Sequence, residues 1–506
     1  MATHPDFGAF AQRYDAGRAQ VVYTKHIADL ETPVSAFLKL GEGRDNAFLL
    51  ESVQGGETRG RYSIIGLKPD LIWRCRDGAC EINRRARADA DAFTPESARP
   101  LASLRALVNE CRMALPDGVP PSAVGLYGYL GYDMVRQIEN LPDVPPDPLG
   151  LPDAILIRPT ITTVFDTVRD EIMIVTPVWP EAGVDARAAY ARACERLADT
   201  VGELERPAPA AAPAPADLPA FTAIESNTTH DAYLAIVERA KEYIRAGDIF
   251  QVVPSQRFRR AFTLPPFALY RALRRLNPSP FLYNLAFPGF SIVGSSPEIL
   301  VRLRDGVVTI RPIAGTRPRG KTAAEDAALA EELMADPKER AEHLMLVDLG
   351  RNDVGRVAKT GDVNVTASFF IERYSHVMHL VSNVEGHIRD GLDAIDALCA
   401  GLPAGTLSGA PKIRAMEIID EFEKEKRGAV YAGAVGYFGA DGSLDTCIVL
   451  RTALVKDGVM YVQAGGGVVA DSVPEAEYQE TVNKAAALMR AAEEAVRFAT
   501  SGKRGQ

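Results

Sequence analysis

Three runs near the end of the chain, AVYAGAVGYF (429–438), TCIVLRTALV (446–455) and VMYVQA (459–464), are separated by GADGS (439–443) and KDG (456–458). Their β-branched and aromatic residues, bounded by Gly and Asp, predict strands, and connections this short force neighbouring strands to run antiparallel. Upstream, ILVRLR (299–304) and VVTIRPI (307–313) flank Asp305-Gly306, the preferred pair for a two-residue hairpin. Strands thus come in clusters instead of alternating with helices. The expected fold class is α+β, with large antiparallel sheets packed against peripheral helices, and not a doubly wound parallel sheet.

Working outward, NAFLLES (46–52), RYSIIG (61–66), DLIWRC (70–75) and ILIRPTITTVFDTV (155–168) predict further strands, with few helices, before residue 206. RPAPAAAPAPADLP (206–219) cannot build a packed core and reads as a linker or surface excursion dividing the chain. Beyond it, Thr228 with Asp231 predicts a capped helix whose apolar stripe is Tyr233, Ile236, Val237, Ala240 and Ile244, with Gly247 as its stop. IFQVVPS (249–255) then reads as a buried strand. No repeat of solenoid length is present.

The 506 residues exceed what one hydrophobic core supports. A net charge of −10 without a long basic run argues against nucleic acid or an anionic membrane as partner. The opening MATHPDFGAFAQRYDAG lacks the pattern of a signal peptide and no run reaches membrane-spanning length, so the cytoplasm is expected. Six scattered cysteines complete no zinc pattern and read as reduced thiols.

GTRPRGKT (315–322) matches the pattern of a phosphate-binding loop, which raises a nucleotide triphosphatase as a competing reading. Two features oppose it. Pro318 removes a backbone donor from the would-be cradle, and Asp336-Pro337-Lys338-Glu339 reads as the cap and first turn of a helix, which makes HLMLVD helical where a nucleotide site needs a strand.

On that helix Glu339 and Glu342 share one face, and on the last helix, with Ser472 and Glu475 as an expected capping box, Glu477 and Glu480 do the same, with Lys484 a turn beyond. A single such pair is ordinary on a solvated surface. Two pairs that converged would raise one another's pKa, and a hard divalent cation, Mg²⁺ above all, would relieve them. QAGGGVVADS (463–472) directly precedes the last helix, and its three glycines permit close backbone approach to an anion. Arg451 is the one charge in CIVLRTALV, and a guanidinium inside a central strand needs a counter-anion, from the protein or from a ligand. His379, near His376, could be a core histidine or present one imidazole to a cavity, and Tyr431 could be core or rim.

Read together, LLES (49–52), GDIFQVVPSQRF (247–258), NPSPFLYNL (277–285), GSSPEIL (294–300), RPIAGTRPRG (311–320), ERAEHLMLVDLGRND (339–353), GTLSGAPK (405–412) and QAGGGVVADSVPEAEYQETVNKA (463–485) resemble the chorismate-utilising enzymes, specifically the large subunits of anthranilate synthases. The resemblance spans residues near 20 to 495. It implies an N-terminal regulatory, tryptophan-binding domain over 20–170, a connecting segment over 171–225 and a chorismate-binding catalytic domain over 226–495. The implied activity is that of a carbon–oxygen lyase making anthranilate and pyruvate from chorismate and ammonia, the first step of tryptophan biosynthesis.

By the same resemblance, Glu342 and Glu480 would bind Mg²⁺ directly, with Glu339 and Glu477 in the outer shell. Tyr431, Arg451 and Gly465, Gly466 and Gly467 would hold the enolpyruvyl carboxylate, Gly315 and Thr316 would line the ring, and Lys484 would complete the substrate contacts. Glu298 would be the general acid for the C4 hydroxyl, His379 would assist loss of pyruvate, and Thr316 would stand with the catalytic groups. Glu51, Ser52, Pro280, Phe281 and Leu282 would form a tryptophan feedback site. Relatives that use water carry lysine where this chain has Gln251, because water needs a base to become nucleophilic. Aminodeoxychorismate synthases, the sister alternative, often carry a nucleophilic lysine in the place of Ala314. No glutaminase signature is seen, which implies a separate glutamine amidotransferase subunit, in a heterotetramer, as the source of ammonia. A tryptophan-sensing module without catalysis is the remaining competitor.

Overall fold

In the computed structural model, which describes residues 2–54, 58–207, 223–374, 377–428 and 430–499, the C-terminal runs pair as their short turns require. Ala434–Gly439 lies antiparallel to Leu444–Ile448, and Thr452–Lys456 to Val459–Gly465. At Asp305-Gly306 both residues have positive φ, 52° and 76°, as the tight hairpin turn between Ile299–Arg304 and Val307–Ile310 demands.

Two expected strands are interrupted. TCIVLRTALV breaks after Ile448 because its halves have different partners: Leu444–Ile448 pairs with Ile299–Arg304, whereas Thr452–Lys456 pairs with Phe290–Ser296. Arg451 sits at the break with φ 49°, so it is not inside a strand. IFQVVPS is likewise split at Pro254, which has no N–H to give a ladder: Gln251–Val252 pairs with Gly409–Ala410, and Ser255–Ala261 with Val459–Gly465. Conversely, RYSIIG and DLIWRC merge into the 19-residue strand Thr58–Arg76, which absorbs Pro69 at a register shift. The region before residue 206 is also more helical than expected, with helices Phe7–Asp15, Pro33–Leu40, Pro100–Glu110 and Ala186–Glu205.

Strands from both sides of the Pro/Ala tract share one antiparallel network. Thr58–Arg76 pairs with Ala47–Gln54, which pairs with Phe281–Phe287, and Gly125–Leu130 pairs with Ala434–Gly439. The layers enclose an apolar core that includes Phe48, Tyr127, Tyr283, Leu285 and Val435, with the Phe48 and Tyr127 rings 4.7 Å apart. Helices Ala186–Glu205, Pro266–Leu276 and Pro474–Ala499 cover a second core outside the sheets. Residues 208–222, which include most of the tract, lie outside the described residues.

Helix His230–Ala246 ends at left-handed Gly247 and buries Tyr233, Val237 and Ala240 as expected. Its cap is Thr229, which accepts from the Ala232 N–H; Thr228 donates instead to Asn227. The expected Ser472/Glu475 box is replaced by longer contacts: Ser472 donates to Glu477 at 2.7 Å and Glu475 bonds His230 at 2.8 Å. Asp336 does cap Pro337–Gly355, accepting from the Lys338 and Glu339 N–H groups, and HLMLVD is helical. GTRPRGKT holds no open cradle, because its Gly320 and Lys321 N–H groups are taken by Asp326 and Glu325 and Arg319 is bound to Asp326. Among the described residues no helix is long and apolar enough to cross a membrane.

Candidate active site

The Asp336-capped helix and the last helix bring their glutamates toward one another. Burial raises the pKa of Glu342, and the charges of Glu339 and Glu480 raise it further against Lys338 and Lys484. Glu477 is raised first by burial; its Oε1 accepts from Ser472, while its Oε2 is buried without a hydrogen-bond partner among the described residues. The other two are committed differently. Glu339 accepts from Arg317 at 3.2 Å, and Glu480 pairs with Lys484 at 2.7 Å. Among the described residues no three acidic, histidine or cysteine side chains stand close enough to form a ready metal cluster. The donor set nevertheless suits a hard cation, since it combines two carboxyls raised by burial and by neighbouring carboxylate charge, Glu342 and Glu477, with a carboxylate oxygen that has no hydrogen-bond partner among the described residues.

The glycine run follows strand Val459–Gly465 and makes room for three functional groups. A Cβ on Gly465 would stand 2.9 Å from the Tyr431 hydroxyl, one on Gly466 3.1 Å from Glu477 Oε2, and one on Gly467 2.5 Å from Gln251 Nε2. Any side chain there would displace them. Tyr431 is buried between two residues of positive φ, Val430 and Ala432. Lys484 donates to the Gly465 carbonyl at 2.9 Å, which ties the last helix to the same strand end.

Arg451 is half-buried with no ion pair among the described residues, and desolvation lowers its pKa although Tyr374 and Glu298 act the other way. Glu298 follows strand Phe290–Ser296 and is itself buried. Its pKa is pushed up to about 8 by burial, opposed by Thr406, the Ile313 N–H and Arg451. At neutral pH it is mostly a protonated acid.

His379 lies 2.8 Å from the Gly315 carbonyl and 3.2 Å from Thr316 Oγ1, both through Nδ1. A carbonyl only accepts, so Nδ1 carries the hydrogen and Nε2 keeps a free lone pair. That nitrogen is buried with no hydrogen-bond partner among the described residues, and burial holds the ring's pKa down at about 4. The imidazole is therefore neutral and presents an acceptor. His376 lies outside the described residues.

These contacts join the expected residues into one ring. Arg451 acts on Glu298 and His379, His379 bonds Gly315, Gly315 abuts Glu339, and Gly466 abuts Glu477. Glu480 acts on Glu342 and, through Lys484, reaches Gly465 and Tyr431. Sequence reasoning missed Thr406, Tyr374 and Arg427, which bear on the same groups. GTLSGAPK contained Thr406 without pointing to its role, and Arg427 was hidden in a run of charged residues.

A separate cavity of about 460 Å³ is lined by Glu51, Ser52, Phe281 and Leu282, with Arg61, Tyr437 and Asp445 among its other walls. Pro280 does not line it. The Glu51 carboxylate is already bound by Arg274 at 2.6 and 3.0 Å and by the Tyr270 hydroxyl, so it offers a ligand no free acid. Asp445 accepts from Arg302 through Oδ2, while its Oδ1 is buried without a hydrogen-bond partner among the described residues.

Comparison with known proteins identifies the family. The family model described as chorismate binding enzyme matches residues 46–490. The chain is 61% identical over 493 residues to anthranilate synthase component 1 of Cereibacter sphaeroides, covering 97% of this chain and 98% of that protein. It is 47% identical over 472 residues to the Aquifex aeolicus protein of the same name, covering 93% and 94%. The crystal structure of anthranilate synthase component I from Streptococcus pneumoniae superposes with a TM-score of 0.74 at 37% identity, covering 92% of this chain and 99% of that one. The menaquinone-specific isochorismate synthase MenF of Escherichia coli, 20% identical with a TM-score of 0.70 over 94% of each chain, shares the fold. The chain belongs to the chorismate-binding enzyme family and, within it, to the anthranilate synthase component 1 group.

Proposed function

We propose that this chain adds ammonia to C2 of chorismate as the C4 hydroxyl leaves as water, and then eliminates pyruvate to give anthranilate, the first step of tryptophan biosynthesis. The observation that carries this reading is the ring itself: Arg451 without an ion pair among the described residues, the buried acid Glu298 and two carboxylate pairs that act on one another's neighbours. Arg451, Tyr431 and the Gly465–Gly467 backbone hold the enolpyruvyl carboxylate. Gly315 and Thr316 line the ring, and Lys484 closes the site. Glu298 delivers its proton to the departing hydroxyl, and His379 Nε2 assists the loss of pyruvate.

Glu342 and Glu480 would hold Mg²⁺, with Glu339 and Glu477 as the outer carboxylates, and the ion would offset the negative charge of the substrate's ring carboxylate. Buried Ala314 offers no nucleophile, which supports direct attack by ammonia and disfavours the aminodeoxychorismate synthase reading. A glutamine amidotransferase subunit, in a heterotetramer, supplies that ammonia in the cytoplasm. Tryptophan occupies the 460 Å³ cavity as feedback inhibitor; its walls offer guanidinium groups for a carboxylate and the free Asp445 oxygen for an ammonium. Incubation with chorismate, an ammonium salt and Mg²⁺ followed by chromatography tests the reading. Anthranilate and pyruvate in equal amounts are expected; aminodeoxychorismate or isochorismate as the product would overturn it.

A further inference from the structure

Arg427 and Glu423 form a buried ion pair that does not itself belong to the ring, yet reaches three sides of it. The guanidinium is bound to Glu423 at 2.7–3.1 Å, donates to the Leu407 carbonyl at 2.7 Å and to the Val253 carbonyl at 2.6 Å, and lies 5.4 Å from the centre of the Tyr431 ring. Tyr132 faces it at 4.8 Å. Glu423 Oε1 also accepts from the Ser255 N–H and hydroxyl, both at 2.8 Å. Ser255 is the cross-strand partner of Gly465, and Leu407 closes the turn that carries Thr406 beside Glu298. One guanidinium thus ties together the Tyr431 ring, the end of the glycine strand and the turn behind the acid.

A buried charge pair adds little stability over well-packed apolar side chains of similar volume, so net stability is a weak reason for its presence. Its geometry supplies a better one. The planar fork holds two backbone carbonyls, of Leu407 and Val253, and the Glu423 carboxylate at fixed separation, which the shorter, single-pointed lysine cannot do. We infer that Arg427, together with Glu423, is a positioning residue that sets the Tyr431 hydroxyl and the Gly465 N–H at the spacing required to grip a substrate carboxylate. This rests on the assignment of Tyr431 and Gly465 to that carboxylate.

The test uses the full chain with ammonia as nucleophile and compares Arg427→Lys, Glu423→Gln, Tyr431→Phe and the Arg427→Lys/Tyr431→Phe double variant. Arg427→Lys and Glu423→Gln should each raise KM for chorismate about tenfold with kcat within about threefold, the pattern of lost ground-state binding, and leave KM for ammonia unchanged. The double variant should be no more than about twofold worse than its worse parent, because both changes remove one contact. Unchanged chorismate KM with a lowered melting temperature, or effects that multiply, would overturn the inference. Failure of both Arg427→Lys and Glu423→Gln to fold would also count against it, by making the pair a determinant of folding. If Tyr431→Phe alone leaves KM unchanged, the carboxylate assignment fails; if Tyr431→Phe raises KM and Arg427→Lys does not, only the positioning role fails.

Discussion

At the scale of single residues, the site is set by what burial does to protons. Glu298 keeps its proton to about pH 8 because its surroundings disfavour the charged carboxylate more than Arg451 favours it. Its folded pKa is raised, so kcat/KM should fall as pH rises through about 8, and this residue's contribution to stability declines over the range from about 4.5 to 8. Glu298→Gln should lower kcat by about 10²–10⁴-fold with chorismate still bound, and should remove the alkaline limb of the pH profile. His379 and His343 show the opposite sign. Both are held down to about 4, so the unfolded chain takes up their protons first and stability is lost as pH falls from about 6.5 toward 4. Nitrogen NMR of labelled histidine should find His379 neutral with hydrogen on Nδ1 at pH 5.5; an imidazolium signal would contradict that state. Much of the residue list was legible from motif resemblance. The protonation states were not, because they depend on neighbours such as Thr406 and Tyr374 that are remote in the chain.

At the scale of elements, local chemistry was readable and long-range pairing was not. The Asp305-Gly306 turn and the Asp336 cap are dictated by residues within four positions, and both form as their sequences require. The break at Arg451 arises because two different strands claim the two halves of one apolar run, and no local signal announces it. Glu51 was similarly misleading, since its partners Tyr270 and Arg274 come from a helix more than two hundred residues away. The glutamate-bearing helix Pro337–Gly355 is fastened at its far end by the buried pair of Asp353 with Lys412, at 2.7 and 2.8 Å. Lys412→Met leaves that carboxylate buried without its partner and should destabilise the protein by about 3–5 kcal/mol in denaturant unfolding. Adding Asp353→Asn should recover part of the loss.

At the scale of the whole molecule, strands from the two sides of the Pro/Ala tract are interleaved, so the proposed tryptophan cavity and the candidate active site share backbone. Phe281 and Leu282 at the cavity pair with Ser296 and Ser295. Ser295 donates its N–H to the Arg451 carbonyl at 3.2 Å, and Ser296 donates its hydroxyl to the Ile448 carbonyl at 2.6 Å. A ligand that shifts the cavity wall therefore acts on the strand ends that carry Glu298 and Arg451. Tryptophan should bind in calorimetry with one site per chain, and Ser52→Phe, which fills the cavity, should weaken it at least about tenfold with kcat unchanged. Tryptophan binding unaffected by Ser52→Phe would place the inhibitor elsewhere.

The proposed chemistry stands on the two glutamate pairs, and a Mg²⁺ titration of anthranilate fluorescence tests them most directly. With chorismate and ammonium in excess, the wild-type chain should show saturable Mg²⁺-dependent fluorescence that EDTA abolishes. Glu342→Ala and Glu480→Ala should lose it, and calorimetry should show that the folded variants bind Mg²⁺ more weakly. Full activity in either glutamate variant, or wild-type turnover undiminished by EDTA, would contradict the assignment of the two helices to the metal.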